Sequence, residues 1–124
     1  MYPQADIPCV QLSLVNDLNA GTHLEIGQAL QALDYDNLLI IGSGFSFHNM
    51  RAFFTSDTPE IQTRNHAFDD WLAETCCDAN LEEAQRVERL LHWDQAPHAR
   101  FCHPREEHLL PLHVCYGLAE RPSD

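Results

Sequence analysis

Apolar and polar positions alternate from Ile7 to Leu14 and give way to Asn16 and Asp17, which predicts a short strand. Pro8 lies near its start, where a missing N–H is tolerated. Thr22 and Glu25 have the spacing of a capping box, and Leu24, Ile26, Leu30 and Leu33 form a helical apolar stripe to about residue 33. Residues 34–37 read as a turn. Leu38 to Ile41 is an unbroken apolar run that stops at Gly42-Ser43-Gly44, the pattern of a buried, parallel strand. Strand, helix and strand make one right-handed βαβ unit. The predicted fold class is therefore α/β, with a parallel or mixed sheet flanked by helices.

The remainder reads as helical. Residues 49–54 suit a turn or short helix. Phe68, Trp71 and Leu72 mark a helix over 64–78, and Leu81, Val87, Leu90 and Leu91 mark another over 80–92. Residues 93–97 connect to a last helix that starts near Pro104. The acidic residues between 69 and 88 read as a solvated helix face. No internal repeat or low-complexity segment interrupts this order.

A chain of 124 residues has room for one domain, and 44% hydrophobic residues suit a packed core. The formal charge of −12 disfavours nucleic acid and an anionic membrane surface as partners. No apolar run is long enough to span a bilayer, and the first six residues lack the basic and apolar regions of a secretory leader. The cysteines are Cys9, Cys76, Cys77, Cys102 and Cys115, an odd number without a C-x-x-C pair. This argues against a disulfide framework and for a reducing, cytoplasmic setting. Adjacent Cys76 and Cys77 read better as small apolar helix positions than as a redox pair, because nothing nearby in sequence lowers their pKa.

Two segments carry candidate chemistry. The loop Gly42 to Asn49 follows the second expected strand at its carboxyl end, where α/β folds bind ligands, and this singles out His48. It lacks the third glycine of a dinucleotide fingerprint and the lysine of a phosphate loop. Its glycines read as a sharp turn off the strand. The run from Phe101 to His113 holds His103, His108 and His113 with Glu106 and Glu107. With Pro104 at the first helical position, His103 becomes the cap and Glu106 the third helical residue. His103 and His108 then diverge by about 140° around the helix and cannot share a metal ion. Pro111 would kink that helix. The run is thus a poor self-contained metal site. It leaves His108 either as one ligand of a site completed from elsewhere or as part of a plain helix start. A zinc site from Cys102, His103, His108 and His113 has the wrong spacing.

Residues 42–51 (G-S-G-F-S-F-H-N-M-R) and 103–114 (H-P-R-E-E-H-L-L-P-L-H-V) resemble two C-terminal signatures of the class III extradiol ring-cleavage dioxygenases. The similarity is to the 4,5-DOPA extradiol dioxygenase-like branch. Residues 8–14 (P-C-V-Q-L-S-L) and the N-x-x-F-D-x-W pattern from Asn65 to Trp71 fit the same branch, so the resemblance covers nearly the whole chain. It implies an enzyme that cleaves a catechol with O₂ at a non-haem Fe(II) or Zn(II) held by three protein ligands. By the same resemblance, His108 would be a metal ligand. His48 would be the acid/base residue, close enough to touch the metal in some members.

The resemblance also implies that residues 1–124 are the C-terminal portion of one catalytic domain. The other ligand histidines would belong to an N-terminal half, and His23, His66, His92 and His98 do not match their motifs. The expectations that follow are an incomplete sheet with an open edge, a weakly held metal, and an inactive isolated chain. The alternative is a non-catalytic remnant or association module that uses the open edge and needs a partner supplying the missing half.

Overall fold

The computed structural model describes residues 3–4, 6–33, 37–55 and 58–119, so most of the turn expected at 34–37 lies outside the described residues. The helices are α1 (Ala20–Leu30), α2 (Met50–Phe53), α3 (Pro59–Cys77), α4 (Glu83–Leu91), α5 (Ala99–Cys102) and α6 (Leu110–Ala119), with a 3₁₀ turn at Trp93–Gln95. None of the helices among the described residues is long and apolar enough to cross a membrane.

The expected α/β sheet is not there. Among the described residues there is no strand, and hence no βαβ unit and no sheet edge. The segments read as strands, 7–14 and 38–41, run without a ladder of backbone hydrogen bonds. Leu39 is 68% exposed and Ile41 59%, where the apolar run predicted burial, and Val10 in the alternating segment is 98% exposed. The physical reason is that a strand exists only as one side of a pair. Apolar patterning records what a segment can bury but cannot supply the neighbour that buries it.

The helices form where local signals are strong. Asn19, not Thr22, caps α1: its side-chain oxygen accepts the Thr22 N–H at 3.1 Å, while the Thr22 hydroxyl donates to Asp17. Thr58 caps α3 through the Ile61 N–H, with Pro59 in the first turn, so this helix begins well before residue 64. Its other end is closed by Arg86 of α4, which is fully buried. That guanidinium donates to the carbonyls of Thr75, Asp78 and Leu81, the second of these at 2.7 Å. The side chain thus joins α3 to α4 by satisfying orphan carbonyls at a helix end.

The most extensive helix contact is between α1 and α6, and two glycines permit it. A Cβ on Gly27 would sit on the Val114 carbonyl oxygen and 2.8 Å from Leu118 N; one on Gly117 would sit on the Leu24 carbonyl oxygen. At the ends of the pair, Gln31 donates to the carbonyls of Gly117 (2.9 Å) and Leu118 (3.2 Å). A small core of Leu24, Leu90 and Tyr116 lies beside this crossing. A larger one gathers Phe68, Trp93, Ala99, Cys102, Leu109 and Leu110 beneath the second candidate segment.

Two buried histidines brace this frame. His23 accepts the Val15 N–H at Nε2 (3.2 Å), so its Nδ1 carries the proton and donates to the Asn19 carbonyl (2.7 Å). It ties the first extended segment to α1. His113 on α6 places Nε2 2.9 Å from the Leu90 carbonyl, joining α6 to α4. Burial, more than any other influence, lowers the pKa of His113 below its ordinary 6.5.

Gly27→Ala should destabilise the chain by roughly 1–3 kcal/mol through overpacking, read as a lowered urea midpoint; an unchanged midpoint would rule out the close crossing. A second expectation concerns pH. With the folded pKa of His113 depressed, the unfolded chain takes up its proton first as pH falls. Stability present above pH 6.5 is therefore lost as pH drops through the lowered folded value. His113→Gln, which keeps a donor but does not titrate, should flatten the fall in urea midpoint between about pH 7.5 and about pH 5. Identical slopes in parent and variant would contradict this.

Candidate functional site

Residues 42–49 lie along residues 101–115, so the two candidate segments are neighbours. Four hydrogen bonds stitch them together. Phe45 N donates to the His108 carbonyl and His48 N to the Cys102 carbonyl, both at 2.9 Å. Asn49 Nδ2 donates to the Phe101 carbonyl at 2.7 Å, and His103 Nε2 lies 2.9 Å from the Ser46 carbonyl. The Asn49 side-chain oxygen also caps α2 through the Ala52 N–H.

The glycines serve this approach rather than a turn. No glycine among the described residues has positive φ. A Cβ on Gly44 would lie 2.6 Å from the His108 carbonyl oxygen, and one on Gly42 would lie 2.5 Å from Cys115 Sγ and 3.0 Å from the Pro111 carbonyl oxygen. Both glycines let backbone press against backbone, the second use of a missing side chain.

The last helix starts later than Pro104 suggests. His103 closes α5 instead of opening a helix, residues 104–106 bend and 107–109 form a turn, and α6 begins at Leu110. Pro111 sits in the first turn of α6, where its absent N–H costs nothing, so it starts the helix it was expected to kink. The Glu106 carbonyl accepts from Leu109 N (2.8 Å) and Leu110 N (3.1 Å) on the way in. The helical angle between His103 and His108 therefore does not apply, and hydrogen bonding separates their roles instead.

His48 and His108 come together. Their rings stack with centroids 3.4 Å apart and planes 27° from parallel, and the Phe45 ring lies 6.3 Å from one and 6.1 Å from the other. Both histidines are half-buried. A cavity of about 280 Å³ borders His108 and is lined by Gly42, Gly44, Phe45 and Ser46 together with Leu72, Leu109, Leu112 and Cys115.

The fit to a metal is partial. Two imidazoles are suitable nitrogen donors for Fe(II) or Zn(II). Their lone pairs lie in the ring planes, however, and near-parallel stacking sets those lone pairs side by side rather than aiming them at one point. Among the described residues, no group of three or more His, Cys, Asp or Glu side chains could hold a metal ion. The pair does not make a three-ligand site.

The other sequence candidates do not converge on this place. Cys102 is buried, and burial raises its thiol to about 11. His103 faces the Ser46 carbonyl and His113 the Leu90 carbonyl, which removes the four-residue zinc reading. Cys76 is likewise pushed up to about 11, first by burial and then by Cys77, which does not suit a reactive thiol. The residue that sequence reasoning undervalued is His103, read as a helix cap and found fully buried. Its position before a proline did not separate the two outcomes: such a residue is biased to extended backbone (φ −127°, ψ 85° here), which suits a helix cap, as at Thr58, as well as a connection between helices.

Comparison with known proteins finds that the chain is similar over nearly its whole length to part of proteins named as extradiol dioxygenases. It is 37% identical over 127 residues to the 4,5-DOPA dioxygenase extradiol of Beta vulgaris, a match taking in 99% of this chain and 44% of that protein. Proteins of the same name from Mirabilis jalapa and Escherichia coli K12 are 34% and 32% identical, each covered over 42% of its length by 96% and 94% of this chain. The chain thus spans less than half the length of these curated relatives. No family model and no solved structure matches it.

Gly44→Ala should break the Phe45–His108 backbone bond, and amide hydrogen exchange at Phe45 would show lost protection. Gly42→Ala should do less, because its nearest obstacle is a thiol that can rotate away. A Phe45 amide still protected in Gly44→Ala would count against the stitched arrangement.

Proposed function

We propose that residues 1–124 form the C-terminal portion of the catalytic domain of an extradiol dioxygenase, which cleaves a catechol ring with O₂ in a reducing cytoplasm. The observation that carries the reading is the juxtaposition of His48 and His108 from separate segments, together with homology to dioxygenases along nearly all of the chain. In this reading His108 is one ligand of an Fe(II) or Zn(II) ion. His48 takes a proton from a bound catechol hydroxyl at a ring nitrogen and later returns one. Both imidazoles are half-buried, open enough to meet a ligand and close enough to each other to act on the same one.

The shortage of donors here fits the length comparison. Two imidazoles are present, and the remaining ligands of a three-ligand site would come from the part of the relatives that this chain does not match. A metal held by His108, with or without a contact from His48, is weakly bound, so the isolated chain is inactive under this proposal. The second reading, a non-catalytic association module that needs a partner, is favoured by the exposed apolar residues Val10, Leu39 and Ile41. It would use the unpaired extended segments, since no sheet edge exists among the described residues.

A chimera decides between them. Residues 1–124 would replace the matching region of the Beta vulgaris relative, with Fe(II) added. Oxygen uptake with a catechol and a yellow ring-fission product are expected. His48→Ala should lower turnover by about 10²–10⁴-fold while most of the iron stays bound, and His108→Ala should lose the iron. A folded, iron-bound chimera that takes up no oxygen defeats the dioxygenase reading. Turnover by the isolated chain would refute the claim that its site needs completing.

A further inference from the structure

His103 has an environment that its neighbours in the Phe101–His113 run do not share. Its side chain is fully buried. The Phe68 ring lies 5.5 Å away and Trp93 stands edge-on at 6.1 Å. Its own backbone N–H is held by the Ala99 carbonyl at 2.7 Å. The ring is therefore fixed by the larger core, on a residue whose backbone is fixed by α5.

One polar atom meets this ring. The Ser46 carbonyl oxygen lies 2.9 Å from Nε2, and a carbonyl can only accept, so Nε2 carries a proton. Burial, the largest influence on this group, lowers its pKa and so favours the neutral ring. Nδ1 is then a bare lone pair, without a partner among the described residues. An unsatisfied buried acceptor is destabilising, a cost that an apolar residue of similar size would avoid. The arrangement makes sense if the single N–H is what the site requires.

We propose that His103 is a positioning residue that, as its Nε2–H tautomer, clamps the Ser46 carbonyl and so holds His48 against His108. The segment it grips is open on its other side, since residues 42–46 are exposed and two of them are glycine. Three bonds in succession fix it: Phe45 N to His108, the Ser46 carbonyl to His103, and His48 N to Cys102. His103 supplies the middle one and is the only side chain among the three. Without it, Ser46 is free to turn between two anchored neighbours, and the ring of His48 loses its register over His108. The effect of the clamp on turnover rests on the dioxygenase reading; the clamp itself does not.

The test begins with ring nitrogen NMR on the ¹⁵N-labelled 124-residue chain at neutral pH. The expected His103 signature is a protonated Nε2 and an unprotonated Nδ1, with a nuclear Overhauser contact between the ring protons of His48 and His108. The opposite tautomer, or a charged ring, overturns the proposal. So does a His103 Nδ1 resonance that moves on addition of Zn(II), which would make the residue a ligand. His103→Gln restores an N–H of similar reach and should keep the His48–His108 contact, whereas His103→Leu fills the space without a donor and should lose it. A His103→Leu variant that keeps the contact overturns the clamp; if that variant does not fold, the tautomer of the parent still decides. In the Beta vulgaris chimera, His103→Leu should lower kcat roughly 10- to 100-fold with KM little changed, and His103→Gln should recover most of the loss. An inactive chimera with the expected tautomer counts against the dioxygenase reading alone, and an active chimera with the wrong tautomer counts against the clamp alone.

Discussion

The close crossing of α1 and α6 is the constraint on which the other contacts rest. Gly27 and Gly117 let each helix touch the backbone of the other, and no larger residue fits between them. That crossing fixes the axis of α6, and α6 carries Leu110 and Pro111 at its start. The turns before it then place the His108 carbonyl where Phe45 N can reach it. His113, one turn along α6, ties the same helix to α4. The position of the candidate site is thus inherited from a contact between two helices, one of which contributes no residue to it.

The site itself is assembled mainly by backbone groups. Carbonyls of Phe101, Cys102 and His108 receive donors from residues 45–49, while the side chains of His48 and His108 are left to face each other. This division has a physical logic. Side chains that must meet a ligand cannot also be spent on holding the fold, so their positions are set by main-chain bonds and by residues such as His103 and Asn49. The same logic separates the buried histidines from the half-buried ones. His23, His103 and His113 each place a ring nitrogen against backbone, whereas no hydrogen bond joins the rings of His48 and His108 to a carbonyl among the described residues.

How much of this was legible in the sequence depended on whether the cause was local. The helices over 64–78 and 80–92 are present as α3 and α4, because apolar spacing at helical period is a local property. The start of α3 was signalled by Thr58-Pro59 and went unread. His48 and His108 could be singled out, one by its place after an apolar run and the other by family signature, and the structure brings them together. The segments 7–14 and 38–41 were misjudged because strand pairing is not local: their pattern is that of strands, and no partner lies among the described residues. Gly42 and Gly44 were assigned to a turn because their real neighbours, Cys115 and the His108 carbonyl, are remote in sequence. Two prolines competed to start the last helix, and the choice of Pro111 over Pro104 follows from His103 being drawn into the core.

The exposed extended segments have a consequence for the colloidal behaviour of the molecule. Val10, Leu12, Leu39 and Ile41 form apolar surface on backbone whose hydrogen-bonding groups are not taken up by a ladder, the kind of surface that templates pairing between copies. Against this stands a net charge of −12, from nineteen acidic residues and seven basic ones. Mutual repulsion keeps copies apart only over a screening distance of roughly 8 Å at physiological salt. Dispersal of the chain in solution is therefore conditional: it weakens as salt rises and as pH approaches the isoelectric value near 4.8, where charge no longer opposes contact between the uncovered segments.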